Sequence, residues 1–284
     1  MKYWLYRARW WISQYIYLGP MHLDLEITNK CNHRCITCWH KDGKPKFKKG
    51  DMDRKDIYYN LNLCSGWLRS VKFNLRGEPL TNHYDLIHGL LLALQFGYID
   101  RMINTNGTLL TPEIFEELKV AGLTTCIISV DAVHPNIYSI LHGVNKKEFD
   151  KLQYNLEYIR KNKAGIRVIL NYHINPLNYD DVEEFKRLYG KDFKLNIKHT
   201  MNREGAQIST FTGKKRKRNC PHMMRRTAVL VNGLQYPCCV CYNEPKDIQI
   251  MTHERRKELI SEYRRGIYTE TCKNCTSADI WKNK

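Results

Sequence analysis

The stretch Ile27-Thr28-Asn29-Lys30-Cys31-Asn32-His33-Arg34-Cys35-Ile36-Thr37-Cys38-Trp39 decides how the rest of this chain is read. Cys31, Cys35 and Cys38 fall within eight residues, separated by three and then two positions. Soft thiolates at this spacing can wrap one loop around an iron-sulfur cube and leave its fourth iron without a protein ligand. A vacant metal position is where a substrate or cofactor binds, as at catalytic metals. A zinc site, or three incidental thiols, is the competing reading of the spacing.

Immediately before the thiols, residues 22–28 alternate, with Leu23, Leu25 and Ile27 on one face and His22, Asp24 and Glu26 on the other. That period predicts a strand with one apolar and one polar side, and puts the cysteine loop at its C-terminal end, where parallel βα folds carry their chemistry. The pattern then repeats. Helices are predicted over 51–67, 83–96, 111–121, 148–161 and 180–189, the third opened by Thr111-Pro112-Glu113 and closed by Gly122. Strands are predicted over 71–75, 101–105, 124–130, 166–172 and 194–198. Strands alternating with helices imply an α/β fold with a parallel sheet and right-handed crossovers. Asn74, Asn104, Asn106, Ser129, Asp131, Asn171, His173, Asn196 and Lys198 share the polar parity of their strands, so the interior is expected to suit a polar ligand. Cys126 falls on the apolar parity, and Cys64 lies within the predicted helix over 51–67, so both are expected to be buried structural residues.

Composition narrows the class. The chain has 284 residues, 43% of them hydrophobic, enough for one large domain with an appendage. With 46 Lys and Arg against 29 Asp and Glu the formal charge is +17, which makes nucleic acid or a phosphorylated small molecule a possible partner. Seven of the 11 cysteines sit in metal-like clusters, which fits a reducing cytoplasm better than a disulfide framework. Residues 1–20 carry Trp4, Trp10, Trp11, Tyr15 and Tyr17 among Lys2, Arg7 and Arg9, too interrupted for a membrane span. An aromatic amphipathic segment packed on the barrel is expected there, with a peripheral membrane or substrate-binding role as the alternative.

The C-x3-C-x2-C spacing followed by aromatic Trp39 resembles the signature of the radical S-adenosylmethionine (SAM) superfamily. The resemblance implies a partial (β/α)6 TIM-like barrel over 21–200, open on one side. It also implies a 4Fe-4S cluster whose open iron is chelated by the methionyl amine and carboxylate of SAM. An electron from a donor such as flavodoxin or ferredoxin then cleaves SAM, and the 5′-deoxyadenosyl radical takes a hydrogen atom from the substrate. Arg76-Gly77-Glu78-Pro79-Leu80, just after the second strand, resembles the family's glycine, glycine, glutamate motif with Arg76 in place of the first glycine. By that resemblance Glu78, with the Gly77 and Pro79 backbone, receives the SAM amine. Asn106, Ser129 and Asp131 match stretches that hold the ribose and methionyl groups, with turn or helix capping as the plainer reading. His142 stands where many relatives carry an arginine that pairs with the SAM carboxylate, so an imidazole makes that contact or another group does.

Beyond the barrel, residues 214–218 form a basic run, a solvated loop by default and a phosphate contact if the substrate is nucleic acid. A hairpin is predicted with Asn232-Gly233 as its turn, followed by a helix over 253–265. Cys220, Gly233, Cys238, Cys272 and Cys275 are similar to the twitch domain, the shortened form of the SPASM domain. That likeness implies a small cysteine-rich C-terminal domain over 201–284 with an auxiliary 4Fe-4S cluster on four thiolates. Structural zinc competes with it. Cys239 and Cys241 remain; plain packing is their first reading, ahead of either one replacing Cys238 or of Cys241 facing the active site as a proton or hydrogen-atom partner. His173, Lys198 and Cys241 are the acid or base candidates.

The expected function is radical chemistry on a small polar metabolite or nucleoside-like substrate. A peptide or protein target is the alternative, lowered because the chain has no room for an added N-terminal leader-peptide-binding domain. RNA or DNA modification comes third, and a zinc-stabilised nucleic-acid binder is the non-catalytic rival.

Overall fold

The computed structural model describes residues 2–13, 15–38, 40–41, 47–65, 70–199, 220–239, 253–268, 270–273 and 275. After helix α1 (Lys2–Ile12) come β1 (His22–Leu25), α2 (Arg54–Leu63), β2 (Ser70–Lys72), α3 (His83–Gln95) and β3 (Asp100–Thr105). Then follow α4 (Pro112–Val120), β4 (Thr125–Ser129), α5 (Pro135–His142), α6 (Lys146–Asn162), β5 (Arg167–Ile174), α7 (Val182–Tyr189) and β6 (Lys194–His199). The C-terminal part supplies α8 (Pro221–Arg225), β7 (Arg226–Val229), β8 (Gln235–Tyr236), α9 (His253–Arg264) and α10 (Glu270–Lys273).

The described strands form one sheet in the order β6-β5-β4-β3-β2-β1-β7-β8. Strands β1 to β6 are all parallel, the mostly parallel α/β sheet of a partial TIM barrel. Leu23, Leu25 and Ile27 share one buried cluster with Ile57 and Leu61 of α2 and Leu86 and Leu90 of α3, so the apolar parity of β1 faces the helical layer. Cys126 is fully buried there, and Cys64 packs against the same cluster.

Local signals set most boundaries. Thr111 caps α4 by accepting a hydrogen bond from the Ile114 amide, and Gly122 takes φ +91° just beyond its end. The helix predicted over 51–67 starts later, because the Met52 amide donates to the Ile27 carbonyl and Asp51 bridges to Thr28. Helix α5 was not anticipated, although Pro135 at its start and Gly143 at its left-handed C-cap mark it.

One correction concerns topology. The predicted hairpin forms, with Gly233 at φ +80°, but its first strand also pairs in parallel with β1 and so extends the barrel sheet. The reason lies in charge. Asp24 is fully buried and needs cations: Lys72 Nζ stands 2.8 Å from it, and Arg226 of β7 brings Nη1 to 3.2 Å. Burial alone would raise the Asp24 pKa, yet Lys72 and Arg226 hold it well below the usual carboxylate range.

Glu26 is paired in the same way. Arg76, at the position of the missing first glycine, donates Nε at 2.8 Å and Nη2 at 2.6 Å to the Glu26 carboxylate. This fork joins β1 to the turn carrying Glu78, and the guanidinium also lies 4.2 Å from the Phe47 ring centre. Removing Arg76 would strand a buried carboxylate. The expected result for Arg76→Met is a loss of about 3 to 5 kcal/mol of unfolding free energy, largely restored in R76M/E26L, as measured by denaturant titration.

Candidate active site

The cysteine loop is held at the C-terminal mouth of the sheet from three sides. Behind β2, the Glu78 amide donates to the Lys30 carbonyl at 2.8 Å. A Cβ on Gly77 would collide with the Thr28 carbonyl and lie 2.7 Å from that of Lys30, so only glycine lets this turn meet the loop. At the end of α5, the amides of Arg34 and Ile36 donate to the carbonyls of His142 and Leu141, each at 3.0 Å. Gly143, at φ +59°, has no room for a side chain against the Arg34 carbonyl. Beyond β3, Asn106 Nδ2 donates to Asn32 Oδ1 at 2.8 Å, and Asn32 Nδ2 donates to Thr108 Oγ1 at 3.0 Å.

Within this clamp Cys31, Cys35 and Cys38 are half-buried. Burial and the nearby Glu78 push the Cys31 thiol up to about 12. Burial, with the neighbouring Cys38 and Cys31, drives Cys35 well above its ordinary value. Cys31 and Cys35, which resist ionising, need a cationic centre to become ligands, and binding it releases their protons.

Glu78 is buried, and burial raises its pKa to about 7 against the opposing hydrogen bonds from Asn106, Thr105 and Leu80. Its Oε1 accepts from Thr105 Oγ1 at 2.7 Å and from the Leu80 amide at 3.2 Å, while Oε2 accepts from the Asn106 amide at 2.7 Å. A carboxylate has about four acceptor positions, so one on Oε2 remains. Pro79 is buried and opens the short 3-10 turn after Glu78. Asn74 and Asn104, of equal parity on the neighbouring strands β2 and β3, each bury an Oδ1 that no donor among the described residues reaches.

Ser129 is half-buried at the end of β4, in register with Asn171. Asp131 takes φ +54°, alone in this among the described non-glycine residues. Its Oδ1 accepts from the His173 amide at 2.7 Å and lies 2.9 Å from His173 Nδ1, and its Oδ2 lies 3.7 Å from His142 Nε2. Burial would raise the Asp131 pKa, but His173 and His142 hold it down. Asp131 is thus hydrogen-bonded to His173, with the His142 imidazole beyond hydrogen-bond distance. His142 is buried and stacked on Tyr138 at 4.1 Å, with Nδ1 3.6 Å from Cys35 Sγ and 3.2 Å from His33 Nδ1, so it stands behind the loop. Among the described residues, His33, Cys35 and His142 are the set of three potential metal donors within 4.8 Å of one another. The sequence reading did not single out His33, though its place between two of the cysteines could have flagged it. Lys198 is exposed on edge strand β6, in register with His173 of β5.

In the C-terminal part Cys220, Cys238 and Cys272 share one buried apolar cluster with Met224, Leu259 and Tyr263, and Cys275 packs against it. Burial, then Cys238 and Cys272, push the Cys220 thiol up. Cys239 is raised by burial and by Asp24 of the barrel. Trp39, Cys241 and the basic run 214–218 lie outside the described residues.

The profile of the radical SAM superfamily matches residues 25–189, and the chain belongs to that superfamily. Membership implies a 4Fe-4S cluster and SAM. The chain is 30% identical over 164 residues to the S-adenosylmethionine-dependent nucleotide dehydratase of Selenomonas ruminantium, covering 56% of this chain and 58% of that protein. It is 28% identical over 182 residues to the GTP 3′,8-cyclase of Limosilactobacillus fermentum, covering 62% of this chain and 52% of that one. The match thus spans little more than half the length of these relatives. In fold the chain resembles native anSMEcpe with bound AdoMet, with a TM-score of 0.66 and 16% identity over 92% of this chain and 88% of that structure. No described helix is long and apolar enough to cross a membrane.

The clamp makes a test of its own. Gly77→Ala should leave the fold intact while displacing the cysteine loop, so that anaerobically loaded protein carries about four fewer irons per chain than the parent. Full iron content in the variant would show that the close approach at Gly77 does not govern loading.

Proposed function

We propose that Cys31, Cys35 and Cys38 hold a 4Fe-4S cluster that cleaves SAM reductively, and that the radical so made attacks a polar, nucleotide-like substrate in the barrel. The observation that carries this reading is the clamped loop, whose three thiols open beside a buried carboxylate with one acceptor position to spare. When bound, the cluster supplies the electron that splits SAM into methionine and a 5′-deoxyadenosyl radical.

The rest is the work of the chain's own side chains. Glu78, held by Thr105, Asn106 and Leu80, offers Oε2 to an ammonium group without reorganising. The Oδ1 atoms of Asn74 and Asn104 accept from hydroxyl or amine groups of the bound molecules. Ser129 offers a hydroxyl to a ribose. Asp131 orients His173 through Nδ1, which leaves Nε2 to move a proton at the barrel mouth. His142 sits behind Cys35 and supports the loop, so an arginine or lysine elsewhere takes the SAM carboxylate.

Charge and kinship favour the substrate class. Lys72, Arg76 and Arg226 gather beside Asp24 and Glu26 on the barrel wall, and the chain's formal charge of +17 suits a phosphate-bearing molecule. The two relatives named above act, by their names, on nucleotides. Cys220, Cys238, Cys272 and Cys275, gathered in one cluster, are assigned to an auxiliary 4Fe-4S cluster within a unit over 201–284. An electron donor such as flavodoxin or ferredoxin, in a reducing compartment, completes the system.

Anaerobically reconstituted protein should convert SAM to 5′-deoxyadenosine under dithionite and carry about eight irons per chain. Cys35→Ala should abolish that conversion and keep about four irons. Zinc in place of iron, with no visible absorption, would contradict the assignment.

A further inference from the structure

Helix α1 carries aromatic residues on two sides, and only one of them is docked on the body. It meets the body through the side that carries Trp10, Ser13 and Tyr17: Arg225 Nε donates to the buried Ser13 hydroxyl at 2.9 Å, the Arg225 guanidinium lies 4.6 Å from the Trp10 ring centre, and Tyr17 packs against the C-terminal apolar cluster. The Ser13 and Ile16 amides continue the helical spacing past Ile12 by donating to the Arg9 and Ile12 carbonyls. At 100° per residue, Trp4, Leu5, Trp11, Ile12, Tyr15 and Ile16 fall within an arc of about 140°. That apolar arc faces solvent, with Trp4 71%, Trp11 63%, Tyr15 58% and Ile16 59% exposed. Leu18 extends the patch.

A contiguous exposed apolar surface marks a place of interaction. Residues 1–20 carry Lys2, Arg7 and Arg9 and no Asp or Glu. Exposed Arg7 borders one edge of the arc, and Arg9, which donates to the Leu18 carbonyl at 2.6 Å, borders the other. Two copies meeting through this face would bring like charges together. A bilayer surface with anionic headgroups answers both features, because Trp and Tyr partition to the headgroup level while flanking arginines meet phosphate. An 11-residue helix is about half the length needed to span.

We propose that α1 and the residues that follow it form an interfacial anchor that seats this chain on anionic phospholipid bilayers, with Trp4, Trp11, Tyr15 and Ile16 inserted and the helix parallel to the surface. This stands apart from the proposed chemistry, since none of these residues lines the cysteine loop or the barrel interior.

The test is flotation of the full chain with vesicles of phosphatidylcholine alone and with about 30% phosphatidylserine. The parent should float with the phosphatidylserine vesicles, and Trp4→Ser/Trp11→Ser, with unchanged circular dichroism, should bind at least about tenfold more weakly. Three results would overturn the proposal. The parent could fail to float; the double variant could float as well as the parent, making net charge sufficient; or the patch could instead drive a dimer, seen by ultracentrifugation without vesicle binding.

Discussion

The site depends on backbone meeting backbone without side chains between. Gly77 and Gly143 belong to different βα units, and each lies against the cysteine loop where a Cβ would strike a carbonyl of residues 28 or 34. These contacts, with four backbone hydrogen bonds or side-chain links from Glu78, Leu141, His142 and Asn106, fix a loop that has no regular structure of its own. A loop fixed before loading presents its thiols as a set to a cationic centre.

The barrel interior follows from the same economy. Its polar parity is stabilised by paired charges: Asp24 with Lys72 and Arg226, Glu26 with Arg76. Because Arg226 comes from β7, the C-terminal part is tied to β1 by both a strand ladder and a buried ion pair. Cys239, raised by burial and the neighbouring Asp24, lies on the same seam between the thiol-rich tail and the barrel. Strands β1 and β7 thus share one edge of the barrel sheet.

Much of this was legible beforehand. Period-two alternation located the six barrel strands, and Thr111-Pro112 with Gly122 bounded α4 within a residue. Buried Cys126 also followed from parity. What stayed hidden depended on distant partners. Strand β7 reads as half of a hairpin, and its parallel pairing with β1 brings Arg226 to the buried Asp24, a partner far away in sequence. Gly77 reads as an approach to a ligand, whereas the surface it meets is the protein's own loop. Asp131 and His142 read as cofactor contacts; their pairing with His173, His33 and Cys35 requires residues far apart in sequence to converge. The N-terminal helix showed its amphipathic period but not which face it would turn outward.

The central claim is that three thiolates leave one iron open for SAM. Electron-nuclear double resonance on the reduced, loaded protein, with SAM labelled at its methionyl nitrogen, tests it most directly. A nitrogen coupling that appears with labelled SAM and is lost in Cys35→Ala is the predicted result. A fully loaded cluster whose spectrum is unchanged by saturating SAM would contradict the account.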